Sequence, residues 1–273
     1  MRLKDRVTVV TGGGGGIGEG ICLCMAREGA HVVVSDQNRT SAERVAAEIA
    51  KIGRRALAVQ TDVRSEKDCQ GLIEYSLKGM GQIDILVCCA GVPGYSDKTV
   101  IRDEMTRIEN ISEDDWNLTI DTNLKGVFLC NRAIVPYFKQ QKKGKIINIA
   151  SIAGRRASDW IPHYSASKAG VIVLSQAIAI QLGPYNVNVN TICPGYIWTP
   201  MSVTAGKIMS KTYPQFKGMN PAEVFNEIIR TRVPLGRPQS PESIGNLAVF
   251  LASDEAQDIT GQAINVDGGS VFN

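Results

Sequence analysis

Apolar residues in this chain come in short, β-branched runs separated by longer stretches of helical spacing, and the two alternate from end to end. The runs fall at 7–10, 31–35, 56–60, 83–88, 145–150, 188–192 and 263–266. Most are apolar at every position, which is the pattern of strands covered by helices on both faces, as in a parallel sheet. Helical spacing occurs near 17–29, 40–52, 66–79, 113–141, 164–183 and 241–253. Ser112 ahead of Asp115, and Ser240 followed by Pro241, Glu242 and Ser243, are helix starts: a hydroxyl caps free N–H groups, and proline fits the first turn. No repeat and no shift in composition divides the chain, so residues 1–273 are read as a single α/β unit.

Composition narrows this picture. A chain of 273 residues that is 44% hydrophobic can bury a large core. There is no run of about 18 apolar residues and no N-terminal signal pattern, so a cytoplasmic protein with no membrane partner is expected. A net charge of +3, with lysines and arginines scattered, gives no basis for a nucleic-acid partner. The one dense basic cluster, Lys139, Lys142, Lys143 and Lys145, reads as a solvated helix end. The seven cysteines (22, 24, 69, 88, 89, 130 and 193) are odd in number and lack CxxC spacing. They are read as reduced, mostly buried thiols, with no metal site.

Candidate chemistry begins with Thr11-Gly12-Gly13-Gly14-Gly15-Gly16-Ile17-Gly18, which follows the first apolar run and opens a helical stretch. Residues without a Cβ let the backbone turn at positive φ and let a pyrophosphate approach main-chain N–H groups at the positive end of a helix. Strand, loop and helix stand in the order that dinucleotide binding requires. Asp36 ends the second strand about 20 residues further on, where an acidic side chain accepts hydrogen bonds from the adenosine ribose. A carboxylate there repels a 2′-phosphate, and no Arg or Lys lies between Gly12 and Gly18 to compensate, so NAD(H) is expected over NADP(H). Arg39 lies near enough in sequence to weigh against that preference.

Tyr164 and Lys168 are four residues apart, which on a helix places both side chains on one face. A tyrosine, with an ordinary pKa of about 10, is a poor base at neutral pH. A lysine ammonium about 4 Å away contributes roughly 4 kcal/mol toward the phenolate, on the order of three pKa units, unless desolvation of the pair cancels it. Within that condition the phenol is a usable general acid/base.

Together these residues resemble a short-chain dehydrogenase/reductase, and the resemblance spans essentially the whole chain. The family's TGxxxGxG loop is met by Thr11, Gly12, Gly16 and Gly18, with Gly15 and Ile17 between them, and its YxxxK by Tyr164 and Lys168. Ser151, 13 residues before the tyrosine, matches the family's catalytic serine, and Asn123 matches the asparagine that completes a tetrad. Asp62 and Val63 resemble the segment beside the adenine, while Ala90 and Gly91 resemble the close approach to the cofactor ribose. Pro194, Gly195, Ile197 and Thr199 resemble the segment that meets the nicotinamide.

The resemblance implies a doubly wound Rossmann-type domain with a seven-stranded parallel sheet flanked by helices, plus a mobile substrate lid at about 196–232. It implies that Tyr164 exchanges the hydroxyl proton, that Ser151 holds the same oxygen, and that Lys168 also binds the nicotinamide ribose and starts a relay through water at Asn123. One departure is visible: the family usually has Asn-Asn-Ala-Gly where this chain has Cys88-Cys89-Ala90-Gly91, which puts in doubt the bonds bracing the central strand. Adjacent residues on a strand point to opposite faces, so the two thiols are not read as a redox pair.

The substrate is expected to be a small alcohol or carbonyl compound. Lid residues Trp198, Met201, Met209, Tyr213, Phe216 and Met219 line a pocket or pack the lid, and Trp160, His163 and Tyr95 are further pocket-wall candidates. The lid sequence resembles members acting on secondary alcohols, diols or polyols. A ketoacyl or hydroxysteroid reductase is the second reading, and a silent dinucleotide-binding regulator the third, weakened because all four tetrad residues are present. Residues 166–182 are apolar on nearly every side, which one sheet face does not require, so a homotetramer or homodimer is expected.

Overall fold

The computed structural model describes residues 1–95, 107–158 and 160–273. Seven strands form one sheet: β1 (Val7–Thr11), β2 (His31–Asp36), β3 (Ala56–Gln60), β4 (Ile85–Cys88), β5 (Gly144–Ile149), β6 (Val187–Pro194) and β7 (Ala263–Val266). Their spatial order is β3-β2-β1-β4-β5-β6-β7, and every pairing is parallel. The central strands β1 and β4 are buried at every position, whereas the edge strands β3 and β7 are mostly half-buried, so the continuous apolar runs follow from helices covering both faces.

Nine helices are described: α1 (Gly16–Arg27), α2 (Arg39–Lys51), α3 (Glu66–Met80), α4 (Glu113–Ile120), α5 (Gly126–Gln141), α6 (Pro162–Leu182), α7 (Pro200–Thr212), α8 (Pro221–Arg232) and α9 (Pro241–Ala252). One core cluster joins α1, α2 and α9 to the sheet through Ile21, Met25, Val45 and Val249; the other joins α3, α5 and α6 through Leu72, Ile134, Phe138 and Val171. α1 and α9 pack in close contact because Gly20 lies against Pro241, and because a Cβ on Gly245 would sit 2.6 Å from the Cys24 sulfur.

Three expectations change. The stretch 113–141 is two helices joined by a π-helical turn, Asp121–Lys125, in which the Gly126 N–H bonds the Asp121 carbonyl five residues back. The region 196–232 contains two helices, α7 and α8, absent from the helical pattern read along the chain. Lys145 belongs to β5, half-buried, and its ammonium donates to Asn188 Oδ1 at 2.8 Å instead of sitting on a solvated helix end.

α6 is by length and hydropathy apolar enough to cross a membrane. One side of it packs on the sheet, burying Lys168, Val171, Ser175 and Ala179 inside the domain, while Val173 and Ile180 stand exposed on the other.

Strand order reverses between β1 and β4, and open sheets of this kind bind ligands in the crevice at that reversal. There the Thr11 hydroxyl accepts from the Cys89 N–H at 3.2 Å, tying the ends of the two strands together. A Cβ on Gly12, which has φ +67°, would sit 2.7 Å from Ala90 Cα, so only glycine allows the loops to approach this closely.

Candidate active site

A cleft of about 950 Å³ opens over the C-terminal ends of the strands. The glycine loop lies at one end, the α7–α8 segment overhangs the other, and Ser151, Tyr164 and Lys168 line it between them.

The glycine loop is built as a cradle. α2, α3, α4, α8 and α9 are capped by the side chains of Asn38, Ser65, Ser112, Asn220 and Ser240, whereas α1 starts on Gly15, which has no side chain to cap it. The first N–H groups of α1 therefore remain for an anion, with the helix dipole behind them. A Cβ on Gly15 would meet nothing within 4 Å, while one on Gly18 would collide with the Gly12 carbonyl. The loop is thus tight toward the protein and open toward the cleft, which fits a dinucleotide pyrophosphate. Gly12, Gly15, Gly16, Ile17 and Gly18 all line the cleft, and Thr199 comes within 3.6 Å of a Cβ position on Gly16.

Asp36 also lines the cleft. Its carboxylate accepts the Gly14 N–H at 3.0 Å and the Asn38 N–H at 2.9 Å, which orients it and leaves further lone pairs for a ribose hydroxyl. Arg39 is drawn aside to Glu43, Nε to Oε1 2.8 Å. Ala90, Gly91, Pro194, Gly195, Ile197 and Thr199 lie on the cleft wall. Asp62 and Val63 do not. The Asp62 carboxylate is clasped by Arg64 at 2.6 Å, which holds it below the usual carboxylate range, and Val63 packs on Gly126.

The polar floor forms where β5, the turn after it and α6 meet. The Ser151 hydroxyl stands near enough to the Tyr164 phenol to draw its pKa down, and its Oγ accepts the Ala153 N–H at 3.1 Å. Lys168 is 4% exposed, and its ammonium donates to the Ile149 carbonyl at 2.9 Å and lies 5.7 Å from the Tyr164 ring centroid. Burial decides both pKa values. It pushes Tyr164 up to about 12, against a smaller downward effect of Ser151, and pushes Lys168 down to about 8. The fall of the phenol pKa expected from the Tyr164–Lys168 spacing is not found: burial raises it, and the group that offsets burial is Ser151.

Asn123, on the π-helical turn, is fully buried and does not line the cleft. Its Oδ1 accepts the Val92 N–H at 2.8 Å, and its Nδ2 donates to the Val92 carbonyl at 3.1 Å and to Ser167 Oγ at 3.2 Å. It pins the loop after β4 to α6. The brace put in doubt by Cys88 is supplied by Asn131, which donates to Cys88 Sγ at 3.4 Å and to Asn148 Oδ1 at 3.0 Å; Asn148 donates in turn to Ser175 at 2.9 Å. Cys88 and Cys89 join opposite core clusters, and burial raises the Cys89 thiol to about 12, so it stays protonated.

Of the pocket-wall candidates, Trp160, Met201 and Met209 line the cleft. Tyr213, Phe216 and Met219 pack the lid, Trp198 meets Phe225 edge to face at 5.0 Å, and Tyr95 packs on His163 with its hydroxyl donating to the Trp160 carbonyl. His163 is buried with Nε2 bonded to the Gly94 carbonyl, a packing role. Val224, Phe225, Ile228, Arg156 and Arg232 line the cleft without having been singled out in the sequence. The Asn220-Pro221-Ala222-Glu223 capping box was the available signal for α8, which carries most of them.

A glycine cradle at the β1/β4 reversal and a serine–tyrosine–lysine floor beside it define a dinucleotide-dependent α/β oxidoreductase. A family model described as enoyl-(acyl carrier protein) reductase matches residues 13–271. The 3-oxoacyl-[acyl-carrier-protein] reductase FabG of Thermotoga maritima is 33% identical over 272 residues, covering 100% of each chain. Two solved structures are similar over 98% of this chain: levodione reductase (TM-score 0.88, 28% identity, 98% of that chain) and NAD+-bound xylitol dehydrogenase (TM-score 0.87, 27% identity, 100% of that chain). The chain belongs to the short-chain dehydrogenase/reductase family.

Gly15→Asp tests the cradle. The added carboxylate caps α1 and repels a pyrophosphate, so NADH affinity measured by fluorescence titration should fall at least about tenfold while the thermal midpoint holds. Unchanged affinity would exclude the cradle as the phosphate site.

Proposed function

We propose that this protein is an NAD-linked oxidoreductase exchanging hydride between the nicotinamide and the carbinol carbon of a secondary alcohol or the matching ketone. The observation that carries this reading is the Ser151–Tyr164–Lys168 floor in the same cleft as the uncapped start of α1. When bound, the nicotinamide supplies the hydride donor or acceptor. In reduction, Tyr164 holds its proton at neutral pH and donates it to the carbonyl oxygen, while Ser151 hydrogen-bonds the same oxygen. The buried Lys168 ammonium stabilises the phenolate that develops. Oxidation runs the same transfers in reverse, starting from the minor phenolate form of Tyr164, which takes the alcohol proton. Asn123 acts as a positioning residue through Val92 and Ser167.

The preference for NAD(H) over NADP(H) is supported by Asp36, held toward the cleft, and by Arg39, engaged with Glu43. Asp62 and Val63 enter this proposal only as neighbours of the adenine end. Similarity to xylitol dehydrogenase and levodione reductase supports a small alcohol, diol or polyol as substrate. The apolar wall of Trp160, Met209, Phe225 and Ile228, with the 3-oxoacyl reductase relative, favours a second reading, a ketoacyl or hydroxysteroid carbonyl. We further propose a cytoplasmic homotetramer or homodimer, supported by Phe128, Val173 and Ile180 exposed on α5 and α6 beside a shallow apolar hollow at Leu124 and Leu174.

Three measurements test these statements. Alcohols, diols, polyols, ketones and 3-oxoacyl thioesters, screened with NAD(H) and NADP(H) in parallel, should give turnover that favours NAD(H). Tyr164→Phe should then lower kcat/KM by about 10²–10⁴-fold while NADH still binds. No turnover on any substrate, or near-full activity in the variant, would refute the assignment. Light scattering at micromolar concentration should give a multiple of the monomer mass, and a monomer would remove the assembly.

A further inference from the structure

The two ends of the cleft are unlike. The glycine-loop end carries the one carboxylate among the described lining residues, Asp36, and it is already bonded to two backbone N–H groups. The rest of the described lining has no carboxylate and includes two arginines, Arg156 and Arg232. Arg156 follows the short turn Ile152–Gly154 after β5, and Arg232 is the last residue of α8.

Each has a neighbouring arginine that is held by another group of the protein. Arg155 gives its guanidinium to the Ala263 carbonyl, and Arg230 is held by Glu227 at 2.6 Å. Arg156 and Arg232 make no side-chain hydrogen bond or ion pair with any described residue. The same lining is apolar at Trp160, Phe225 and Ile228, and the floor adds the cation Lys168. An apolar chamber lined by cations that have no partner among the described residues favours a ligand with a hydrocarbon body and an anionic end. Guanidinium forks are suited to planar or tetrahedral oxyanions.

We infer that the substrate is an anion. It is an oxo or hydroxy compound whose reacting carbon lies at Ser151 and Tyr164 and whose carboxylate or phosphate end is received by Arg156 and Arg232. The inference rests on the oxidoreductase reading and names the substrate class for that same site.

The test separates binding from chemistry. A matched series of ring ketones carrying a carboxylate, a phosphate monoester or a neutral primary amide is titrated by calorimetry into Tyr164→Phe protein with NADH bound. At least one anion should bind about tenfold or more tightly than the amide, and the tighter of the two identifies the group. Arg156→Gln and Arg232→Gln should each lose about tenfold for that anion and nothing for the amide. Arg230→Gln, outside the cleft lining, should change neither. Equal binding of anion and amide, no measurable binding of either anion, or an equal loss for anion and amide in the arginine variants overturns the inference. Wild-type turnover of the same ketones is measured alongside. Anion-selective binding without turnover defeats the oxidoreductase reading alone, whereas turnover with no preference for the anion defeats this inference alone.

Discussion

A lysine that is 4% exposed, its ammonium bonded among the described residues to one carbonyl, is a costly arrangement, and the rest of the cleft is organised around it. Ile149 supplies that carbonyl from the end of β5, so Lys168 on α6 is fixed to the sheet. The turn after β5 lies directly on the helix at this level: a Cβ on Gly154 would sit 2.6 Å from the Lys168 carbonyl carbon. On the opposite side Gly91 brings the loop after β4 within 3.5 Å of the ammonium, measured from its Cβ position. Two separate segments thus reach one charge while the turn after β5 packs on the backbone that carries it, and Tyr164 lies one helical turn before it.

That enclosure also explains the buried polar side chains behind the floor. Asn131, Asn148 and Ser175 bond in sequence across α5, β5 and α6, and Ser175 closes the chain on the Val171 carbonyl at 2.6 Å. With its members paired, such a network fixes the relative placement of the elements it joins at little desolvation cost. The thiol of Cys88 accepts a bond from the same asparagine, so an amide at that position is not needed to brace β4.

Much of this was legible in the chain. Uniformly apolar β-branched runs identified the central strands, because only a sheet covered on both faces buries every position. The glycines and Asp36 were readable since backbone conformation and charge at a strand end are local properties. What escaped depended on tertiary context. The π-helical turn at Asp121–Lys125 has no proline or glycine within it to mark it; it exists where Asn123 is fully buried and bonded to Val92. Arg156 and Arg232 look like ordinary surface charges in sequence, and only the topology brings them to one cleft. The sign of the Tyr164 shift turned on burial, which spacing alone does not report.

The central claim is that Lys168, desolvated yet charged at neutral pH, stabilises the phenolate left when Tyr164 gives up its proton. Since burial has lowered its pKa from the ordinary 10.5 to about 8, the ammonium is present below that pH and lost above it. The most direct measurement is kcat/KM for ketone reduction against pH, taken with the ketone reduced fastest. The account predicts a plateau at lower pH and a falling limb with an apparent pKa near 8. A rate that stays flat through the ordinary lysine pKa of 10.5 would contradict it.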